Sequence, residues 1–187
     1  MKRLDRYILE KFQINKDSKP VYSCHPKTWT ELRKILEERL AKDKDADLND
    51  IDVSAIKYMG THNTRGLFEG LDPHNIHIEF WDMSNAINTN AMFWKCENFN
   101  CNLNNWDISK VTNMVSMFNG CSNFNSDLGK WDVHKVKNMR CMFWDCEKFE
   151  GEGLEKWKPI SCDYMGMGDM FYRCTALKNK PNWYQEK

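Results

Sequence analysis

Sulfur is the first feature of this chain that could do chemistry. Four of its eight cysteines, Cys96, Cys121, Cys146 and Cys174, each stand three residues after the Phe of a Met-Phe pair. Thiolates could ligate zinc or act as nucleophiles, and thiols in adjacent segments could oxidise to disulfides. Zinc sites pair their ligands two to four residues apart. Cys96 with Cys101 and Cys141 with Cys146 each have four residues between them but no matching histidines. The expected role of the four recurring cysteines is that of small core residues. Disulfides between neighbouring segments stay open as the alternative if the protein is exported.

Carboxylates form the second pattern: Asp52, Asp82, Asp107 and Asp132 recur in one register. Stacked like charges repel, so each must be satisfied locally, by a backbone N–H of the following turn or by a basic residue such as Lys110 or Lys135. "DKDADLNDIDVS", from Asp43, superficially resembles a calcium loop. It has Leu48 where the turn glycine belongs and Ser54 where the bidentate Glu belongs, so a polar turn is expected. His74 and His77 stand three apart without a third ligand. No phosphate-binding glycine loop, nucleophile elbow or zincin helix occurs. The expectation is no catalytic residue, no metal, no cofactor and no enzyme.

Trp94 and Trp144 follow the Met-Phe pair in two segments, whereas Asn119 holds that place between them. Two readings stay open: the two indoles pack on each other, or they form an exposed aromatic patch for a partner. Together with Lys110, His134, Lys135 and, in the insertion 61–66, His62 and Arg65, they are the candidate partner-binding residues.

The elements that position these residues follow from a period. Trp81, Trp106, Trp131, Trp157 and Trp183 are spaced 25, 25, 26 and 26 apart, and Phe93, Phe118, Phe143 and Phe171 keep nearly the same beat. Periods of this length mark stacked repeats. Met114, Met117, Phe118 and Cys121 stand at i, i+3, i+4 and i+7, which predicts a short helix with Thr112 as its N-cap, and Leu103 to Ile108 suits a brief strand. "TWTELRKILEERL" starts with the capping box Thr28/Glu31 and predicts an amphipathic helix over 28–41. A further helix is expected within residues 1–20. The fold class expected is α/β: a leucine-rich-repeat-like solenoid of about five coils, each a short strand or bridge plus a short helix. Residues 1–47 would form an N-terminal helical segment and cap, and 48–187 the solenoid with its C-terminal cap.

Twenty-seven basic residues balance twenty-seven acidic ones and are scattered, so a dedicated nucleic-acid binder is disfavoured. The N-terminal residues lack a signal-peptide pattern, and no apolar run is long enough to span a bilayer. A cytoplasmic setting without membrane insertion is expected, with a cell surface or virion as the alternative.

"FNCNLNNWDISKVTNMVSMFNGC" resembles the BspA-like leucine-rich repeat found in mycoplasma lipoproteins and in gut-bacterial and phage proteins, grouped as a domain of unknown function. The resemblance covers roughly residues 22–184. This chain departs from the pattern at Ala86, Thr89 and His134, and in "WKPISCDYMGMGDMF", which loses the Asp and gains two residues. The resemblance implies a non-catalytic module that binds a protein partner on a rigid repeat scaffold. A surface adhesin, or a structural component of a cell envelope or phage particle, is the competing reading.

Overall fold

Residues 22–60 and 66–184 are described by the structure, a computed structural model. Among them the α-helix is α1, Trp29–Leu40. Thr28 Oγ1 accepts the Glu31 N–H at 3.2 Å, and the Glu31 carboxylate accepts the Lys27 N–H at 2.7 Å, which fixes the start of the helix from both sides. Leu32, Leu36 and Leu40 carry one stripe of α1 into the same apolar core as the rest of the chain. The helix expected within residues 1–20 lies outside the described residues.

The solenoid of strand-and-helix coils is not what the chain forms. Among the described residues there is no β-strand; isolated parallel bridges such as Asn88↔Asn113 and Asn113↔Asn138 join neighbouring segments. The helix predicted over Met114 to Cys121 is absent as well, and the backbone there is a run of turns. Its four apolar side chains are fully buried, as their spacing required, but Ser116 and Gly120 have φ of 54° and 78°. A left-handed residue cannot continue an α-helix. Thr112 does not cap anything; its hydroxyl donates to the Ile87 carbonyl at 3.2 Å. Leu103 to Ile108 is likewise a turn, closed by Trp106 N–H on the Leu103 carbonyl. Beyond the bridges and turns, two short 3-10 helices occur, Leu154–Lys156 and Met165–Met167.

What the 25-residue period builds instead is a stack of turn-rich loops. Left-handed residues recur four apart in each: Ala91 and Lys95, Ser116 and Gly120, Cys141 and Asp145, Asp169 and Arg173. Each non-glycine among them costs about 1–2 kcal/mol, so the loops need outside support. It comes from alternate amides. Ser116, Phe118 and Gly120 donate N–H groups to the carbonyls of Arg140, Met142 and Trp144 in the following loop, at 2.9, 2.9 and 2.8 Å. The amides between them turn inward: Met117, Asn119 and Cys121 donate to carbonyls three residues back. Half of the donors therefore close turns and half cross between loops, an arrangement that is neither helix nor sheet.

Side chains repeat the same stacking. Phe93, Phe118, Phe143 and Phe171 lie nearly parallel, with successive centroids 5.6, 5.6 and 5.7 Å apart. Indole N–H groups of Trp81, Trp106, Trp131, Trp157 and Trp183 donate to the carbonyls of Leu48, Ile78, Leu103, Leu128 and Leu154, each in the preceding loop. A buried indole needs such an acceptor, and the period places one under every ring.

At the front of the stack α1 supplies the missing donors. Arg33 is 6% exposed, and its Nη1 donates to the carbonyls of Leu67 and Glu69 at 2.8 and 2.9 Å while Nε holds Glu37 at 2.7 Å. Leu67 and Glu69 stand 25 residues before Met92 and Trp94 and 50 before Met117 and Asn119. They are thus the carbonyls that a preceding loop would otherwise occupy.

Candidate functional site

The recurring cysteines are engaged in the frame. The thiols of Cys96, Cys121, Cys146 and Cys174 donate to the carbonyls of Phe68, Phe93, Phe118 and Phe143, at 3.5, 3.0, 3.0 and 2.9 Å. All eight cysteines are free thiols. Burial pushes the Cys174 thiol up to about 12 and raises those of Cys96, Cys121 and Cys146 as well, the reverse of what a nucleophile or thiolate ligand needs.

The aspartates are satisfied by their own turns. Oδ1 of Asp52, Asp82, Asp107 and Asp132 accepts the N–H two residues on, from Ser54, Ser84, Ser109 and His134. Hydrogen bonds from Ser109 and from His134 hold the Asp107 and Asp132 carboxyls below the usual carboxylate range. In the calcium-like stretch, Asp43 accepts the Asp45 N–H, Asp47 accepts the Asn49 N–H, and Asp45 accepts both the backbone and side-chain N–H of Asn75. His74 and His77 pair with Asp72 and Glu79, not with each other. Among the described residues no three His, Cys, Asp or Glu side chains converge to hold a metal ion.

The candidate partner-binding residues do not form one site. Trp94 is half-buried with Lys95 Nζ 4.5 Å from its ring centroid, and Trp144 meets Tyr172 with ring centroids 4.3 Å apart and planes tilted by 37°. Among the described residues no ring contact joins Trp94 to Trp144. Lys110 Nζ donates to Asn85 at 3.1 Å, while His134 Nδ1 lies 2.6 Å from Asp132 Oδ1 and Lys135 is exposed beside them. Among the described residues no hydrogen bond, ion pair or ring contact joins this group to either tryptophan. His62 and Arg65 lie outside the described residues.

Two surfaces escaped the sequence reading. One is a polar concavity of about 660 Å³ lined by Asn75, Asn98, Asn100, Asn123 and Asn125, with Glu147, Lys148 and Glu150. The amide oxygens of Asn98, Asn100, Asn123 and Asn125 are occupied within the frame: Asn100 Oδ1, for example, accepts the Asn125 N–H and Asn125 Oδ1 the Glu150 N–H, each at 2.9 Å. The row stitches loops together.

The other is the outer face of the last loop. Among the described residues five large apolar side chains are exposed, and four of them, Ile160, Tyr164, Met165 and Tyr172, lie in this loop at 81, 48, 67 and 51%. Ile160 and Tyr164 also line an open cleft of about 570 Å³, together with Trp157, Lys158, Pro159, Cys162, Asp163, Met167 and Trp183. The loop bulges because of the two residues gained in "WKPISCDYMGMGDMF". Gly166 keeps it docked: its carbonyl accepts the Met139 N–H at 2.6 Å, and an added Cβ would stand 2.5 Å from the Lys137 carbonyl oxygen. That irregularity in the repeat was the signal in the sequence. It spoke of distortion without saying that apolar groups would be turned outward.

Comparison with known families supplies one match. Residues 62–184 match the family described as "Mycoplasma protein of unknown function, DUF285". The chain belongs to this family. No curated protein and no solved structure matches the chain. The resemblance to BspA-like leucine-rich repeats is corrected accordingly. The family match brings no function, and the strands and helices that a leucine-rich repeat requires are missing from the described residues. With that frame falls the expectation of a rigid-repeat interaction module, and its adhesin and structural-component alternative rested on the same resemblance. No helix among the described residues is long and apolar enough to cross a membrane.

Proposed function

We propose that this chain is a non-catalytic protein that binds a polypeptide segment through the outer face of its last loop. The observation that carries this reading is the concentration of exposed apolar side chains there, Ile160, Tyr164, Met165 and Tyr172, the first two of which line an open cleft. Aromatic and Met side chains at a surface of this kind are enriched where proteins meet. The titratable groups support the non-catalytic part: thiols raised by burial and carboxylates committed to turns are frame residues. A reducing compartment such as the cytoplasm suits the four thiols, which act as hydrogen-bond donors only while they keep their protons.

The test is selection of a random dodecapeptide library on the folded protein. Enriched peptides should shift the methyl signals of Ile160 and Met165, and should bind at least ten-fold more weakly to an Ile160→Asp/Met165→Asp variant of unchanged melting temperature. Enriched peptides that bind this variant equally well, or a library that yields no binder, would remove the proposal.

A further inference from the structure

In the left-handed stretch of each interior loop the crossing backbone hydrogen bonds run one way. In each interior loop the amides of alternate residues point to the following loop: Ala91, Phe93 and Lys95 to Val115, Met117 and Asn119; Cys141, Phe143 and Asp145 to Gly168, Met170 and Tyr172. The corresponding residues of the last loop are Asp169, Phe171 and Arg173, with the same left-handed φ of 56° and 59° at the first and third. Among the described residues no carbonyl or side chain accepts from these three N–H groups. Their own carbonyls do not share that edge: those of Asp169 and Phe171 are consumed by the local turns to Tyr172 and Cys174.

The core at this end is closed while the backbone is left open. Trp183 stacks on Trp157 at 5.9 Å, and Tyr184 meets Phe171 edge to face at 5.0 Å, so apolar rings are covered. The contrast with the front of the stack is chemical. There the exposed carbonyls of Leu67 and Glu69 are met by the buried guanidinium of Arg33. At the back, three donors stand in a row two residues apart with no acceptor supplied.

We infer that the Asp169–Phe171–Arg173 amides are a docking edge for a foreign polypeptide loop that presents backbone carbonyls at alternate residues. This rests on the polypeptide-binding reading above and names the chemistry by which the partner is held. The polarity selects the occupant. A β-strand edge offers N–H and C=O groups by turns, so a strand would set its own donors against these. A second copy docking by the same face would bring donors to donors. A second copy docking by its front would find its matching carbonyls already held by Arg33. A carbonyl-only edge remains, as the interior loops themselves offer, and Tyr172, half-exposed with its ring centroid 4.3 Å from that of Trp144, gives such a segment an aromatic surface to lie on.

Amide hydrogen exchange on the full chain tests this, alone and with two probes: the dodecapeptides selected above, and the blocked peptide of residues 138–146 with serine at both cysteine positions. In the free chain the Asp169, Phe171 and Arg173 amides should exchange at least a hundred-fold faster than their counterparts at Ser116, Phe118 and Gly120. Saturating peptide should slow all three at least ten-fold together. Peptide that shifts the Ile160 and Met165 methyls while the three amides keep exchanging would sink the docking edge and leave the polypeptide-binding reading standing. No peptide binding of either kind would remove both. Protection already present in the free chain would mean cover by the chain itself if independent of concentration, and a second copy if it grew with concentration. Protection by sodium acetate alone would mean an anion site. Each of these three results overturns the inference.

Discussion

Raising the pH should destabilise this protein through its buried cysteines. Cys96, Cys101, Cys121 and Cys146 are at most 6% exposed. Burial pushes all four thiols up, that of Cys101 to about 12. An unfolded chain ionises its cysteines near pH 8.5, about the ordinary value. Above that pH the unfolded chain binds fewer protons than the folded one, so stability is fully present below about 8.5 and is lost as pH rises. One unit higher, each thiol removes about 1.4 kcal/mol, and the four together about 6 kcal/mol. That is comparable to the whole stability of an ordinary domain, about 5–15 kcal/mol. Urea unfolding followed by tryptophan fluorescence at pH 7.5, 8.5 and 9.5, with a phosphine reductant present, measures it. With a urea slope of about 1–3 kcal/mol/M, the midpoint should fall by about 2 M or more between the first and last pH. Cys121→Ala, though less stable at pH 7.5, should lose about 1.4 kcal/mol less than the parent protein between pH 7.5 and 9.5. A midpoint that moves by less than about 0.5 M would refute the reasoning, because the thiols would then ionise in the fold as readily as outside it.

Two further predictions concern the frame. Phe118 is fully buried between Phe93 and Phe143 and packs 4.2 Å from Phe124, so Phe118→Ala should cost about 3–5 kcal/mol and lower the urea midpoint without changing the slope. A loss below about 1 kcal/mol would mean that the aromatic column is not the core. Arg33→Met keeps the apolar stem but leaves the Leu67 and Glu69 carbonyls without their donor, and should cost about 2–4 kcal/mol in chemical denaturation. If the variant matched the parent protein, water would be satisfying those carbonyls and the asymmetry between the two ends of the stack would vanish.

Which residues face inward was legible from spacing alone. Trp81, Trp106, Trp131 and Trp157, the Met-Phe pairs and the recurring cysteines are buried because a periodic chain that repeats its apolar residues can only bury them by stacking one copy on the next. The capping box at Thr28 and Glu31 likewise fixed the start of α1 through local hydrogen bonds. The backbone between those residues was not legible. An i, i+3, i+4, i+7 pattern is met by a helix and equally by successive turns that return side chains to one face, and the choice fell to turns because left-handed residues such as Ser116, Cys141 and Asp145 are held by amides crossing to another loop. No local propensity contains that partner.

The candidate site divides in the same way. Trp94, Trp144, Lys110, His134 and Lys135 were chosen because the repeat does not require them, but departure from a pattern does not bring residues together, and the structure leaves them apart. Ile160, Met165 and the amides of Asp169, Phe171 and Arg173 became a surface only through position. A donor or an apolar side chain is satisfied or exposed according to what the next loop supplies, and that neighbour is a property of the tertiary structure. The sequence alone determined the period and the inner face, through burial of like residues at like intervals. The fold decided the turns, the direction of the hydrogen bonds and the end at which they run out, because each depends on groups some 25 residues away.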